Sequence, residues 1–524
     1  MKYPFLGMEL FLFGLLLSFV ATTLILGYFA SLNDAFTARF KNGIRMVHPL
    51  VDNHAFWVIL LIILIGYAYR NSLEGYLLKD DDLFIISWAR DGNPLVTFVE
   101  QPEIYLRYYR PIQYIILWVN YQLFGLNYAG HQTFILFQHI IISLMLYCFI
   151  YRVTNEKIHS FVITLMFSTH IYVSSIVVWT SAVVSSLGLV IVVSLFYIYR
   201  LKNTVVWYSI MSVLLFSAMF MHEMGMVVLF SLGLFAMYAR YEKKITTRHL
   251  VGIFALVFMV SICYLLLRWK SVGILPQGKS LSTGYFFEYY ENPETLGIKL
   301  YVYTVVANIV SNFFPIFSNV GIINTSRILI ITFGIVLSFF TPQIMRKYFG
   351  EDGKVTLLLF GILLILGYIL FRLSGGINFA LSSSIQSILS IFIFYLITKW
   401  EKLSSTQKTI IIYALGLIIG SSIAAFPYFR WRTHYPGVIG WTILLSIAAH
   451  YIKNNLYFGK YINFFIIFIA LIMIWGYSAE LNSRLPRVTI EYAKYLCHPS
   501  LPDDFVDEVV KAYEINANII KECR

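Results

Sequence analysis

From Leu10 to Tyr477 the chain returns repeatedly to apolar runs about as long as a membrane-crossing helix, separated by short polar breaks. An α-helix needs roughly 20 apolar residues to cross the hydrocarbon layer, with a range of about 17–25. A chain built almost wholly of such runs folds in lipid. The composition agrees: 59% of the 524 residues are hydrophobic, 13% are charged and the mean hydropathy is +0.73, whereas soluble domains carry about 25% charged residues. The expected fold is an all-α polytopic membrane protein.

Spans are expected at 7–30, 55–70, 131–152, 158–171, 181–199, 206–221, 224–239, 250–268, 325–342, 355–371, 378–398, 409–426, 437–452 and 461–477, about 13–14 in all. Segment 111–124 is shorter and carries Gln113, Asn120 and Gln122, so it reads as a helix lying at the membrane surface. Segment 298–318 ends at Phe314-Pro315 and reads as dipping in without crossing. Met1 to Ala30 has Lys2 as its one cation, Glu9 inside it and a long apolar run, which predicts a retained helix and not a cleaved signal.

Orientation follows from the distribution of cations. Loops 31–54, 152–159, 200–205, 240–249, 343–354, 399–408 and 453–460 hold 19 of the 39 Lys and Arg and 7 of the 27 Asp and Glu, leaving 20 of each elsewhere. The whole net charge of +12 thus falls on one face. It is a topology signal, and it removes the argument for a nucleic-acid partner. The opposite, extracytoplasmic face receives residues 71–130, 269–297, 430–437 and the tail 478–524. Two units result: a transmembrane domain over 1–477, with 71–130 as its main outer loop, and a small helical tail over 478–524. In that tail Asp503 follows Pro502 and can cap a helix whose Phe505, Val509, Val510, Tyr513 and Ile520 form an apolar face suited to docking on the bundle. Cys497 and Cys523 could pair there in an oxidising compartment; Cys148 and Cys263 lie in apolar runs, and no metal-ligand spacing of Cys or His is present.

The residues suited to chemistry gather on the outer face. Asp80, Asp81 and Asp82 are adjacent carboxylates, whose repulsion suits either a general base or a metal site; the same residues could equally start a helix. Arg90, Arg107 and Arg110 share their loop, and the guanidinium fork matches a phosphate. Tyr105, Tyr108 and Tyr109 add ring surfaces. His222-Glu223 interrupts two short apolar spans, where charge is costly unless it faces a cavity. His170 closes a span, and Arg430-Trp431-Arg432-Thr433-His434 brings cations to the face that otherwise lacks an excess of them, where a phosphate or lipid headgroups could meet them.

Asp81-Asp82-Leu83-Phe84, Tyr109-Arg110-Pro111-Ile112, Leu123-Phe124-Gly125 through His131 and Phe137-Gln138-His139 resemble, in order and spacing, the N-terminal half of GT-C glycosyltransferases. The likeness is to the protein O-mannosyltransferase-like and tetratricopeptide-bearing branches. Phe167-Ser168-Thr169-His170 with Trp179 resembles a later His-Pro and Trp segment, with Ile171 where the family has Pro. His222-Glu223 resembles a Lys-Glu pair, and Arg432 to Pro436 faintly resembles an Arg-Tyr-Pro segment. The resemblance covers 75–235 and implies a GT-C-type bundle in a bacterial or archaeal cell membrane. It further implies inverting transfer of one sugar from a polyprenyl-phosphate donor to a glycan, lipid or protein hydroxyl on the extracytoplasmic face. Asp81 is then the base, with Asp82 beside it. Arg110, Arg430 and Arg432 hold the phosphate, Tyr109, His170, His222 and Glu223 support the site, and Mg2+ or Mn2+ on Asp81, Asp82 and Glu223 is an option. A ligase or O-antigen polymerase of the other GT-C branch would use Arg430 to His434 instead; a lipid or sugar transporter would bury ionisable groups in mid-span.

Overall fold

The computed structural model describes residues 53–73, 81–100, 109–177, 184–199, 205–272, 392–424, 434–455 and 501–512, with residues 305, 309, 313, 386, 389 and 390. The spans expected at 7–30, 325–342, 355–371 and 461–477, and most of 298–318, lie outside these residues. Among the described residues all regular structure is helical. In chain order the helices are α1 (His54–Tyr69), α2 (Asp81–Asp91), α3 (Pro111–Phe124), α4 (Tyr128–Thr154), α5 (Lys157–Ser168), α6 (Ile171–Val177), α7 (Val184–Tyr199) and α8 (Val205–Met221). They continue with α9 (Met226–Tyr241), α10 (Thr247–Val272), α11 (Ser405–Ala424), α12 (Tyr435–Asn455) and α13 (Asp503–Ala512). Among the described residues, five stretches are long and apolar enough to cross a membrane: His54–Leu73, Tyr128–Thr154, Thr247–Ser271, Ser405–Ile423 and Tyr435–Asn455. The chain is a membrane helical protein.

Local chemistry sets several helix ends. The Asn53 side chain accepts the Ala55 N–H at 2.9 Å to start α1, and Asn127 does the same for Gly130 at 3.3 Å to start α4. Pro111 takes the first position of α3, where its missing N–H costs nothing. That helix stops at Gly125, whose φ of 54° a side chain would strain.

In lipid, apolar area gives helices no reason to prefer one another over the solvent, so close fit must bring them together. The α9, α11 and α12 group shows how. A Cβ on Gly416 would lie 2.8 Å from Ser231 Cα on α9, and one on Gly440 of α12 would lie 2.4 Å from the Ala414 carbonyl oxygen on α11. Both backbones approach because those side chains are absent.

The long-range contacts sort the helix ends into two sets. At one end, His54 of α1 meets the Tyr147 hydroxyl of α4 at 3.0 Å and Trp207 of α8 donates to the Tyr197 carbonyl of α7 at 3.0 Å. There too, His159 of α5 bonds the Ser446 carbonyl of α12 at 3.0 Å, and Ser405 of α11 donates to Glu242 after α9 at 2.8 Å. Loops 152–159, 240–249, 399–408 and the start of 453–460 therefore share this end, as their common charge predicts. At the other end, Gln132 of α4 bonds Ser72 at 3.2 Å, and Tyr69 of α1 donates to the Ser168 carbonyl of α5 at 2.7 Å. The chain alternates between a basic end and an end that carries the motifs.

One expected span takes a different form. Over 158–171, α5 stops at Ser168, Thr169 and His170 break the helix, and α6 begins at Ile171. The hydroxyls of Ser168 and Thr169 bond back to the carbonyls of Thr164 and Leu165 at 2.8 and 2.9 Å, a pattern that bends and ends helices. At 12 residues α5 is about 18 Å long. From His159 to Ser168 every residue is buried, so α5 is a core helix and not a lipid-facing one.

The tail helix forms where the sequence places it. On α13, Phe505, Val506 and Val509 pack with Leu501, Ile86 of α2 and Tyr128 of α4, with Val510, Tyr121 and Leu126 at the margin. Tyr513, Ile520, Cys497 and Cys523 lie outside the described residues.

Candidate functional site

Asp81 and Asp82 occupy the first turn of α2, where backbone N–H groups and the helix dipole favour negative charge. The side chains of Asp81, Asp82, Leu83, Phe84 and Ile85 lie outside the described set, as does Asp80. The C-terminal half of α2 crosses α3. Trp88 meets Tyr114 with ring centroids 5.3 Å apart, and the Ala89 carbonyl accepts from Gln122 at 3.4 Å. Asp81 begins about 10 Å of helix before that crossing.

Arg110 is the residue immediately before α3, half-buried, with a guanidinium nitrogen 3.5 Å from Gln113 Oε1. Its neighbour Tyr109 is buried, donates to the Phe98 carbonyl at 2.8 Å, and packs its ring 5.8 Å from Phe220 and 5.5 Å from Tyr264. Burial pushes its phenol above the ordinary range. Tyr109 is thus a wedge between the loop and the bundle, held by its neighbours and not presented to a cleft.

Phe220 stands two residues before His222, at the end of α8. His222 Nδ1 accepts the Met224 N–H at 3.1 Å and its carbonyl accepts the Gly225 N–H at 2.7 Å, making a tight turn through Glu223–Gly225 into α9. A Cβ on Gly225 would fall 2.1 Å from the Ala218 carbonyl oxygen, so this turn needs glycine. Phe98 stands 5.8 Å from the same Phe220 ring. The Tyr109-Arg110-Pro111 and His222-Glu223 segments, far apart in sequence, therefore meet at one end of the bundle. The Glu223 side chain is outside the described set.

Arg90, one of three loop arginines suited to phosphate, has other partners. Its guanidinium lies 2.8 Å from Asp91, 2.8 Å from Asp504 and 3.7 Å from Glu508, and stands 5.6 Å from the Phe505 ring. Hydrogen bonding to Asp91 holds its proton more tightly than usual, with the Asp504 charge adding to this. Tyr121 beside it is raised by burial and by the Glu508 carboxylate. Arg107, Tyr105 and Tyr108 lie outside the described residues.

His170 is fully buried, 2.6 Å from Gln386 Oε1 and ring to ring with Trp441 at 5.8 Å. It belongs to a polar seam. His139 meets the Ser168 carbonyl at 3.1 Å, the Ser168 and Ser143 hydroxyl oxygens stand 2.8 Å apart, and Trp441 donates to Ser390 at 2.9 Å. Gln132 Oε1 and His139 Nδ1 are buried with no hydrogen-bond partner among the described residues. No sequence motif marks this seam as a unit, although Gln132, His139 and Ser143 recur on one face of α4 at helical spacing. His434, expected at the outer face with Arg430 and Arg432, stands immediately before α12 and is fully buried; the two arginines lie outside the described residues.

Among the described side chains no three His, Cys, Asp or Glu come together to hold a metal ion. The side chains of Asp81, Asp82 and Glu223 are not among them. Comparison with known protein families, with curated proteins and with solved structures finds no match.

Proposed function

We propose that the chain is an inverting membrane glycosyltransferase that moves one sugar from a polyprenyl-phosphate donor to a hydroxyl acceptor at the motif end, on the extracytoplasmic face. The observation that supports this reading is the contact of Tyr109 with Phe220, which brings the Arg110-Pro111 and His222-Glu223 segments together at the end opposite the basic loops, where the C-terminal half of α2 crosses α3. The resemblance of these motifs to GT-C enzymes supports the same chemistry.

Asp81 accepts the acceptor hydroxyl proton as the oxygen forms its bond to the anomeric carbon, a contribution of about 10²–10⁴-fold. The anomeric bond to the phosphate oxygen breaks at the same time, and a phosphate leaves without a general acid. Arg110, with Arg430 and Arg432, holds the departing charge. A divalent cation, if bound by Asp81, Asp82 and Glu223, would supply further charge stabilisation.

The test is transfer of radiolabelled sugar from a panel of synthetic polyprenyl-phosphate sugars by wild type and Asp81→Asn, following hydrolysis as well as transfer. Turnover of one donor that collapses in the variant is the expected result; activity that survives Asp81→Asn sinks the assignment of the base. A second reading, a lipid or sugar transporter, draws on the buried seam of Gln132, His139 and His170. Counterflow of a labelled substrate in proteoliposomes without covalent change would favour it.

A further inference from the structure

We infer that α13 is the seat on which the Asp-bearing helix α2 is held, and that Arg90 is a positioning residue that sets α2 against that seat. Its chemical consequence rests on the transferase reading above. Two independent sets of contacts join the helices. Phe505, Val506 and Val509 of α13 bury themselves beside Ile86 of α2. One turn further along α2, Arg90 reaches Asp504 and Glu508, which stand one helical turn apart on α13 and so address a single guanidinium. The Arg90 side chain is 18% exposed while Asp504 is 70% exposed. The cation is the enclosed member of the pair, and the tail carboxylates come to it.

The apolar cluster and the ion pairs do different things. Burial of the Phe505 side chain gives attachment without direction, because apolar contact is non-directional. A guanidinium fork shared between carboxylates has direction, and it fixes how far α2 turns on α13. Rotation of α2 by one residue's worth, about 100°, would bring one of Asp81 and Asp82 to the bearing the other had and carry that other away from it. Arg90 therefore acts through α2 on whichever carboxylate faces the acceptor, without touching the donor.

The experiment uses the full chain in nanodiscs, with Arg90→Gln, Arg90→Lys and the double variant Asp504→Asn/Glu508→Gln. Backbone hydrogen exchange is read over 81–91 and 501–512, and kcat and donor KM are read with the polyprenyl-phosphate sugar that the wild type turns over. Arg90→Gln and the double variant are expected to speed exchange in α2 by about tenfold and to lower kcat by about tenfold with donor KM within about twofold. Arg90→Lys keeps the charge and loses the fork, so it falls between. Unchanged exchange in α2 overturns the proposal. So does a rise in KM alone, which would make Arg90 a donor contact, and so does a double variant that behaves as wild type. If no donor turns over, the transferase reading fails and the exchange data alone decide whether Arg90 and α13 hold α2.

Discussion

At the basic end, charged side chains tie loops to distant helices. Glu156 meets His450 at 3.2 Å and pairs with Lys453, Glu242 accepts from Tyr238 and Ser405 at 2.9 and 2.8 Å, and Lys244 donates to Thr409 at 2.8 Å. At the motif end the bundle is closed by rings and backbone carbonyls, through Tyr109, Phe98, Phe220 and Tyr264, and the ion pairs among the described residues all centre on Arg90. The contrast teaches that the charges at the two ends have different uses. One end consumes its charge in cross-links. The other, among the described residues, is packed mainly with rings and backbone carbonyls.

The sharpest way to break this comparison is Asp81→Asn, which on the proposed transferase reading should lower transfer by about 10²–10⁴-fold with a much smaller effect on the thermal midpoint. A comparable fall in stability would make Asp81 a structural charge like those of the basic end. Next in size is Phe505→Ala, expected to weaken docking of α13 by about 3–5 kcal/mol, read as faster proteolysis of the tail with the basic end unaltered. Gly225→Ala should cost about 1–3 kcal/mol through the clash with Ala218, seen as a lowered melting temperature.

The smallest effect is at Glu156. Burial alone would raise its carboxyl, but the His450 ring and the Lys453 ammonium hold it down at about 2. A carboxylate lowered on folding stabilises above its ordinary value of about 4.5 and loses that contribution as pH falls toward about 2. Glu156→Gln should therefore cost about 1–2 kcal/mol at neutral pH after allowance for solvent screening, and the difference from wild type should shrink as pH drops through that window. A difference that persists in acid would mean that packing, not charge, is what Glu156 contributes.

Much of the helical order is legible in the sequence because length and punctuation suffice for it. Pro111 starts α3 and Asn127 starts α4 within a few residues of the expected places, and Asp503 opens α13 with Phe505 and Val509 turned inward. Membrane sequences hide the next level, because lipid and protein interior are equally apolar and a hydrophobic stripe does not say which it faces. α5 and α10 read alike as apolar runs, yet α5 is buried while α10 exposes Phe258, Met259 and Leu265. The same ambiguity conceals the burial of His434, the commitment of Arg90 to the tail and the meeting of Tyr109 with Phe220, all of which depend on partners far along the chain. For the Asp81 site, sequence gives the residue types and the fold gives the shared end.

The short helices have a consequence for the bilayer itself. α8 and α9 have 17 and 16 residues, about 24–26 Å of helix, and both expose apolar side chains such as Val213, Phe230 and Met237. A hydrocarbon layer is about 30 Å thick, and a mismatch of several ångströms costs fractions of a kcal/mol per ångström unless the lipid thins to meet the protein. Lipid matched to α8 and α9 would be about 5 Å thinner than the average layer, while the 27 residues of α4 have no such deficit, and a headgroup on that flank would then lie nearer the turn at His222.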